Sequence, residues 1–432
     1  MESLNYILEE NYVLVAFVIL IRLFCSLSHN DFFVQDGDAK CHLAILKSLS
    51  IRNIDYPTGF HRLSLIIGKS LNEILPGSFN LIIWCIFVIT FNFFYQINLY
   101  SALYLILISI LVDEYNKHQF GYSERFCAQL CCSLVFCGIL LKWSFIWVTP
   151  FYIYIITSSK FGRQFAFFIC LPCLLVTLQF YNLLYLTILY SIILILSPRI
   201  RREIKHQIDF TVNYNKHSTI NNAFKWRIFY EFHFLRILLF PELVILYFYN
   251  IEIFLVLISV FLVISLRKFS RVGESWRYLE WALFVPTIIL LSEQYAYILF
   301  FKLFGFLLYS AILKTKLRNT IYDYKTDARE ITKFLEGKGT ILPIPYRAGD
   351  ELVSVDPQVD LIKWWPIDGN NCWKKLPSRL VTYDPQLSNE SSWVVFNKKL
   401  LKQMDYDYLE SLVNREIVIS NSSYFVVKAD SA

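Results

Sequence analysis

Long apolar runs dominate this sequence and limit the folds that it can adopt. Hydrophobic residues make up 56% of the 432 residues, and only 18% are charged. An apolar stretch of ~20 residues crosses a bilayer as a helix, so the pattern predicts a protein with many membrane spans. About eleven runs are long enough, or nearly long enough, to cross. They cover residues 12–27, 79–95, 99–112, 127–141, 143–156, 165–178, 183–196, 228–248, 251–266, 279–291 and 296–313.

The composition changes near residue 319, where Asp, Lys, Pro and Gly replace the apolar runs. We therefore predict a mainly α fold: a polytopic transmembrane helical bundle over residues 1–318, with a first large loop at 29–78, and a small soluble α/β domain over 319–432. In that domain a helix is expected to begin at Asp327 and stop at Gly337. Strands are expected at 340–345, 351–355, 393–396, 416–419 and 424–427.

The first large loop contains a polar segment with two carboxylates and a histidine. Gly37 separates Asp36 from Asp38, and Asp38 stands at the expected N-cap of a helix on which His42 lies one turn later. A carboxylate beside apolar surface gains proton affinity, which suits a general base, and a carboxylate pair can instead hold Mg²⁺ or Mn²⁺ against a phosphate. A simple helix cap is the structural alternative for Asp38.

A second motif of the loop runs Tyr56-Pro-Thr-Gly-Phe60-His61. A rigid turn followed by a helix places His61 near the first polar segment, and Tyr56 and Phe60 can form a stacking wall for a sugar ring or a lipid. A re-entrant turn at the membrane interface is the structural alternative.

Together, the first apolar run, the Asp-bearing segment continuing as Ala-Lys-Cys-His-Leu-Ala-Ile-Leu, and the Tyr-Pro-Thr-Gly-Phe-His motif resemble the first loop of polytopic GT-C glycosyltransferases. The resemblance covers residues 31–63. It implies a polyprenyl-phosphate-linked sugar as donor, an acidic residue of this loop as catalytic base or metal contact, and an active site and tail domain outside the cytoplasm. Matching that pattern selects Asp36 and Asp38. By the positive-inside bias, the basic loops predict instead that the first large loop and the tail domain face the cytoplasm. We adopt the extracytoplasmic orientation, because loops that bind phosphate are basic on either side of a membrane.

A basic cluster lies between two late apolar runs. It includes Arg271 and Arg277, and Glu280 lies one turn after Arg277. Guanidinium groups bind phosphate oxygens well, so we expect the two arginines, with Tyr56, His61 and Glu280, to bind the lipid-phosphate substrate. Interfacial anchoring with a local Arg277–Glu280 pair is the alternative.

The sequence therefore predicts an integral, multi-pass glycosyltransferase that moves a sugar to a lipid, glycan or protein acceptor. Asp36 or Asp38 would be the base and His42 an orienting group. The net charge of +6 fits lipid headgroups or phosphates as partners and gives no reason to expect nucleic acid. The alternative is a transporter or flippase that uses the same carboxylates and histidines for proton or cation coupling. The charges between residues 231 and 242 favour this alternative. A scaffold without activity is a third possibility.

Overall fold

A computed structural model describes most of the chain. The described residues are 2–28, 37–52, 54, 58–68, 77–110, 122–205, 208, 236–266, 269, 275–290, 297–298, 300–304, 307, 324–344, 347–362, 364, 391–401 and 416–429. Most are helical, and a four-stranded sheet lies near the carboxyl terminus. These observations confirm the predicted mainly α class with a small carboxy-terminal part that contains strands.

The α-helices of the described residues are numbered along the chain. In chain order they are α1 Glu2–Ser28, α2 Gly37–Ser48, α3 Gly59–Ser64, α4 Ser78–Tyr95, α5 Leu99–Ile110, α6 Glu124–Leu140, α7 Phe145–Ser158, α8 Lys160–Phe165, α9 Leu171–Val176, α10 Phe180–Leu196, α11 Pro198–Lys205, α12 Glu242–Tyr249, α13 Ile251–Ser265, α14 Ser275–Leu290, α15 Lys325–Leu335, α16 Arg347–Val355 and α17 Lys398–Leu401. A π-helical turn, Ala166–Cys170, joins α8 to α9. The strands are β1 Ile341–Ile344, β2 Trp393–Asn397, β3 Ile417–Ser420 and β4 Tyr424–Lys428.

The chain divides into two compact units that are each built from separate segments. The first comprises Met1–Val34, Leu63–Leu196 and Arg227–Asn319; the second comprises Gln35–Arg62, Ser197–Trp226 and Thr320–Ala432. The division predicted from the sequence, 1–318 and 319–432, is continuous along the chain. The structure differs because α2 packs against α16, which groups a part of the first loop with the carboxy-terminal segment.

Among the described residues, one helix is long and apolar enough to cross a membrane. This helix is α4, and α10 with α11 would count as a second if the pair, bent by 98°, formed one span. Shorter apolar helices cover Asn11–Leu27, Leu99–Ile110, Phe145–Ser158 and Ile251–Ser265. By length and composition such helices are weak evidence for crossing, so the bundle of about eleven spans stays a prediction.

The first unit is a helical assembly in which α6 packs against α7 and α14. Pro286 interrupts α14, and a proline leaves the carbonyl four residues earlier without its helical donor. That carbonyl, of Ala282, accepts a hydrogen bond of 3.2 Å from Ser133 Oγ on α6, which in turn accepts one of 2.6 Å from Val285 N. A hydroxyl of the neighbouring helix therefore satisfies the backbone groups of α14 next to its proline.

The second unit places helices on a sheet of strand order β1-β2-β4-β3. β1 is parallel to β2, whereas β2–β4 and β4–β3 are antiparallel. The strands expected at 340–345, 393–396, 416–419 and 424–427 are present with shifted ends. Its core combines residues of α2 with the tail, among them Cys41, Ala44, Ile45, Ile331 and Leu352.

Two local expectations for this unit were wrong. The strand expected at 351–355 is the second half of α16, because Ala348 and Leu352, four residues apart, bury one helical face. Asp38 does not precede its helix: α2 begins at Gly37, so Asp38 lies in the first turn and not at the N-cap.

Candidate functional site

The two motifs of the first loop meet at a pair of buried histidines in the second unit. His42 in α2 and His61 in α3 are 5% and 0% exposed. His42 Nδ1 lies 3.0 Å from His61 Nε2, and the ring centroids are 5.1 Å apart. Phe60 contacts both rings edge-on, with centroids 6.2 Å from His42 and 5.5 Å from His61. The structure therefore brings together two predicted site residues that are 19 positions apart in sequence.

The histidine pair can share a single proton. A hydrogen bond between two imidazoles requires a hydrogen on one nitrogen and a lone pair on the other, so both rings cannot be doubly protonated while it persists. Arg62, the residue after His61, donates from Nε to Thr58 Oγ1 at 3.2 Å, which ties the start of α3 to its preceding turn. The contacts with His42 and Phe60 restrict the direction of the His61 ring.

A buried ion pair links α2 to the carboxy-terminal part of the same unit. Lys40 Nζ lies 2.5 Å from Glu351 Oε1, with side-chain exposures of 6% and 2%. The other Glu351 oxygen accepts from Asn397 Nδ2 at 2.6 Å and from the Tyr424 hydroxyl. Lys40 also lies over the ring of Tyr324, 4.3 Å from its centroid. Sequence patterns missed this network because its members lie up to 384 positions apart. Lys40 stands in the polar segment of the first loop, but nothing near it in sequence indicates Glu351 as its partner.

Asp350, beside Glu351 on α16, is a second buried carboxyl group. Its Oδ1 accepts a hydrogen bond of 2.9 Å from the indole of Trp364. Burial disfavours the ionised form and raises the pKa of Asp350 to about 7; hydrogen bonds from Trp364 and Cys41 and the charge of Arg347 oppose the rise, and the charge of Glu351 adds to it. Asp350 can therefore gain or lose a proton near neutral pH.

In the first unit, Glu280 lines a small, mainly apolar cavity between apolar helices. The cavity has a volume of about 50 Å³ and also contains Gln129, Glu242 and Lys302 in its wall. Lys302 and Glu242 form an ion pair, with side-chain exposures of 7% and 1%. Thr287 Oγ1 donates to Glu242 Oε1 at 2.8 Å. Lys302 also lies near the rings of Tyr104 and Phe240.

Arg277 lies on the same helix as Glu280, near the start of α14. Its guanidinium carbon is 5.6 Å from the ring centroid of Trp276 and 6.0 Å from that of Phe161. Aromatic faces attract a guanidinium group, so these rings restrict the directions that Arg277 can take. This arrangement leaves Arg277 half-buried.

The remaining predicted site residues are not all described. Asp36, Tyr56 and Arg271 lie outside the described residues, and for Asp38 only the backbone position in α2 is described. His42 and His61 belong to the second unit, and Arg277 and Glu280 to the first.

The Mg²⁺ or Mn²⁺ site expected at Asp36 and Asp38 stays a prediction. Over the described ranges, no three His, Cys, Asp or Glu side chains are grouped so that they could hold a metal ion. Because Asp36 and the Asp38 side chain fall outside those ranges, this finding does not bear on the pair.

Comparison of the chain with protein-family models, curated proteins and solved structures finds no match.

Proposed function

We propose that the protein is an integral-membrane glycosyltransferase that moves a sugar from a polyprenyl-phosphate donor to a lipid, glycan or protein acceptor. The observation that carries the proposal is the buried His42–His61 pair. It joins the Asp-bearing helix to the Tyr-Pro-Thr-Gly-Phe-His motif, the two segments on which the resemblance to GT-C enzymes depends. Such a pair is suited to orient a carboxylate or an acceptor hydroxyl near Asp38, which is one helical turn before His42.

Apolar side chains on the surface of the first unit support the membrane part of the proposal. On α4 alone, Ile86, Ile89, Phe93 and Phe94 are more than half exposed. Exposed patches of large apolar residues are rare on soluble monomers and are expected where lipid covers a helix. We propose a multi-pass bundle of about eleven spans, with the first loop and the carboxy-terminal domain on the extracytoplasmic side.

In the proposed reaction, Asp38, or Asp36 in its place, removes the proton of an acceptor hydroxyl. The hydroxyl oxygen forms a bond to the anomeric carbon of the sugar while the bond from that carbon to the phosphate oxygen breaks. The electron pair leaves with the polyprenyl phosphate, whose added charge Arg271 and Arg277 would offset. Tyr56, His61 and Glu280 would contribute to substrate binding. A divalent ion at Asp36 and Asp38 would screen phosphate charge when bound.

The test is sugar release from a panel of radiolabelled polyprenyl-phosphate sugars incubated with the purified protein. A general base contributes ~10²–10⁴-fold to a rate, so Asp38→Asn is expected to lower turnover of the consumed donor by about that factor. Asp360→Asn, which changes an exposed carboxylate, is the matched control and is expected to behave as the wild type. Consumption of no donor by the wild type would contradict the proposal.

A proton- or cation-coupled transporter or flippase is the second candidate, and the Glu242–Lys302 pair favours it. Both side chains are nearly fully buried in the wall of a mainly apolar cavity, and within the described part of the chain Glu242 Oε2 has no hydrogen-bond partner. Ionisable groups inside apolar helical bundles commonly mark ion pathways. Under this hypothesis, Glu242→Gln and Asp38→Asn, which each remove a carboxylate used for coupling, both lower coupled uptake into proteoliposomes, and the wild type consumes no polyprenyl-phosphate sugar. Under the glycosyltransferase hypothesis there is no coupled uptake to lose.

A further inference from the structure

The geometry points to Glu351 as a positioning residue that sets the orientation of α2, and thereby of Asp38 and His42, through its ion pair with Lys40. This inference rests on the proposed function, because it concerns the helix that would carry the catalytic base.

Lys40 is the only charged side chain between Asp38 and His42, and it is two residues from each. Successive residues of an α-helix are about 100° apart around its axis, so positions 38 and 42 are both about 160° from position 40. They therefore lie on nearly the same face, opposite Lys40. Holding the Lys40 ammonium in one place fixes the rotation of α2 and turns positions 38 and 42 away from the Glu351 carboxylate.

Glu351 is held in turn by two strands and its own helix. Its Oε2 accepts hydrogen bonds from Asn397, the last residue of β2, and from Tyr424, the first residue of β4. Asn397 and Tyr424 are directly paired in the β2–β4 register. A carboxylate with partners on both oxygens has a fixed direction, so the sheet determines where the Lys40 ammonium lies.

A second contact also restrains Lys40. Its ammonium lies 4.3 Å from the ring centroid of Tyr324, whose hydroxyl is 3.0 Å from Ser354 Oγ on α16. A flexible lysine side chain loses much conformational entropy when it is confined in this way. Ordering the side chain and desolvating both charges cost free energy, whereas apolar residues could pack the two helices without this cost. Specifying one rotation of α2 explains why charged groups occupy this place.

The test compares Glu351→Gln with Asn421→Ala in the full-length protein. Asn421 caps the turn before β4 through Oδ1 and donates from Nδ2 to Asp327 O, so its loss weakens the same unit without removing a contact to α2. Misplacement of a reacting group by about 1 Å costs up to ~10²-fold in rate, so Glu351→Gln is expected to lower kcat about 10- to 100-fold, with the donor KM within about threefold of wild type. Asn421→Ala is expected to leave both constants unchanged below its unfolding temperature.

A readout without substrate separates this inference from the proposed function. In hydrogen-exchange mass spectrometry, Glu351→Gln is expected to reduce protection of the amides of α2 at least tenfold relative to Asn421→Ala. If α2 loses protection and the wild type transfers no sugar, the positioning role stands and the proposed function fails. Equal protection of α2 in the two variants would overturn the positioning role.

The double variant Lys40→Met/Glu351→Gln distinguishes positioning from simple stabilisation. It leaves no buried charge without a partner, so thermal stability is expected to return toward the wild-type value. The kcat is expected to stay low, because the ion pair that orients α2 is still absent. Recovery of both quantities would show that the pair serves stability alone.

Discussion

At the scale of single residues, the second unit contains two adjacent carboxyl groups with different roles. Glu351 has a lysine, an amide and a phenol as partners, which together compensate a buried charge. Asp350 accepts hydrogen bonds from the Trp364 indole, at 2.9 Å, and from Cys41, yet burial raises its pKa to about 7. The contrast arises because a carboxylate stays ionised in a buried site only when charge and hydrogen bonds together offset its lost hydration.

The raised pKa of Asp350 predicts a stability that falls with rising pH. The folded protein keeps the proton up to about pH 7, whereas the unfolded chain loses it near 3.8, the ordinary value. Between these values the folded state binds more protons, so the free energy of unfolding decreases as pH rises and levels off above about 7. Asp350→Asn keeps an oxygen for Trp364 without the charge. We expect its melting temperature to exceed that of the wild type more at about pH 8 than at about pH 5.

The control for this prediction is Asp360→Asn, which removes an exposed carboxylate from the same unit. Its difference from the wild type is expected to be the same at both pH values. A pH-independent difference for Asp350→Asn as well would show that Asp350 does not gain its proton on folding.

At the scale of secondary-structure elements, α14 shows how one helix depends on another. Pro286 leaves the Ala282 carbonyl without a helical donor; Ser133 Oγ of α6 donates to this carbonyl, and the same hydroxyl oxygen accepts from Val285 N. Arg277, Glu280 and Thr287 all lie on this helix, on both sides of the proline. A side chain of a neighbouring helix therefore satisfies the backbone of the helix that positions these residues.

Ser133→Ala is therefore expected to destabilise the protein. Leaving a buried carbonyl and a buried amide without their partner costs about 1–3 kcal/mol, measured as the change in the free energy of unfolding. In the Pro286→Ala background, alanine supplies the missing N–H to Ala282, so the cost of Ser133→Ala is expected to be smaller there. Ser191→Ala, which removes an exposed hydroxyl bonded to Thr187 O four residues back, is the control. Additive effects in the double variant would contradict the coupling between Ser133 and Pro286.

Elements also show where local pattern was informative. Short apolar runs predicted the strands Ile341–Ile344 and Tyr424–Lys428, and Gly337, at a φ of +69°, ends the turn after α15 as expected of a helix stop. Glu351-Leu-Val-Ser-Val355 is a similarly short and largely apolar run, yet it is helical. A run this short fits either period, and packing of Ala348 and Leu352 in the core decided between them.

At the scale of the whole molecule, α4 offers the most direct test of membrane integration. Ile86 lies near its middle and is 56% exposed, so in a spanning helix it would face lipid. A lysine at the centre of a span costs roughly 2.5–3.5 kcal/mol of insertion free energy. We expect Ile86→Lys to lower the fraction of chains in which α4 crosses, measured by glycosylation-site mapping on either side.

Gln96→Lys is the matched control, because Gln96 follows the last residue of α4, where a lysine can reach the headgroup region. It is expected to leave integration unchanged. If Ile86→Lys crosses as well as Gln96→Lys does, α4 is a buried helix of the protein and not a span.

The sequence by itself determined the composition of each part: where apolar runs make helices, where the polar tail begins, and which loop residues can be proposed for catalysis. These features are local, since helix and strand periods and turn residues act within a few positions. The loop motifs also predicted His61 near the first polar segment, and the structure gives the contact, 3.0 Å between His42 Nδ1 and His61 Nε2. Only the tertiary structure decided that Lys40 pairs with Glu351 and that residues 37–52 belong with the tail. Such contacts depend on which buried charges and hydrogen-bonding groups can satisfy one another across hundreds of residues, and no local pattern encodes that choice.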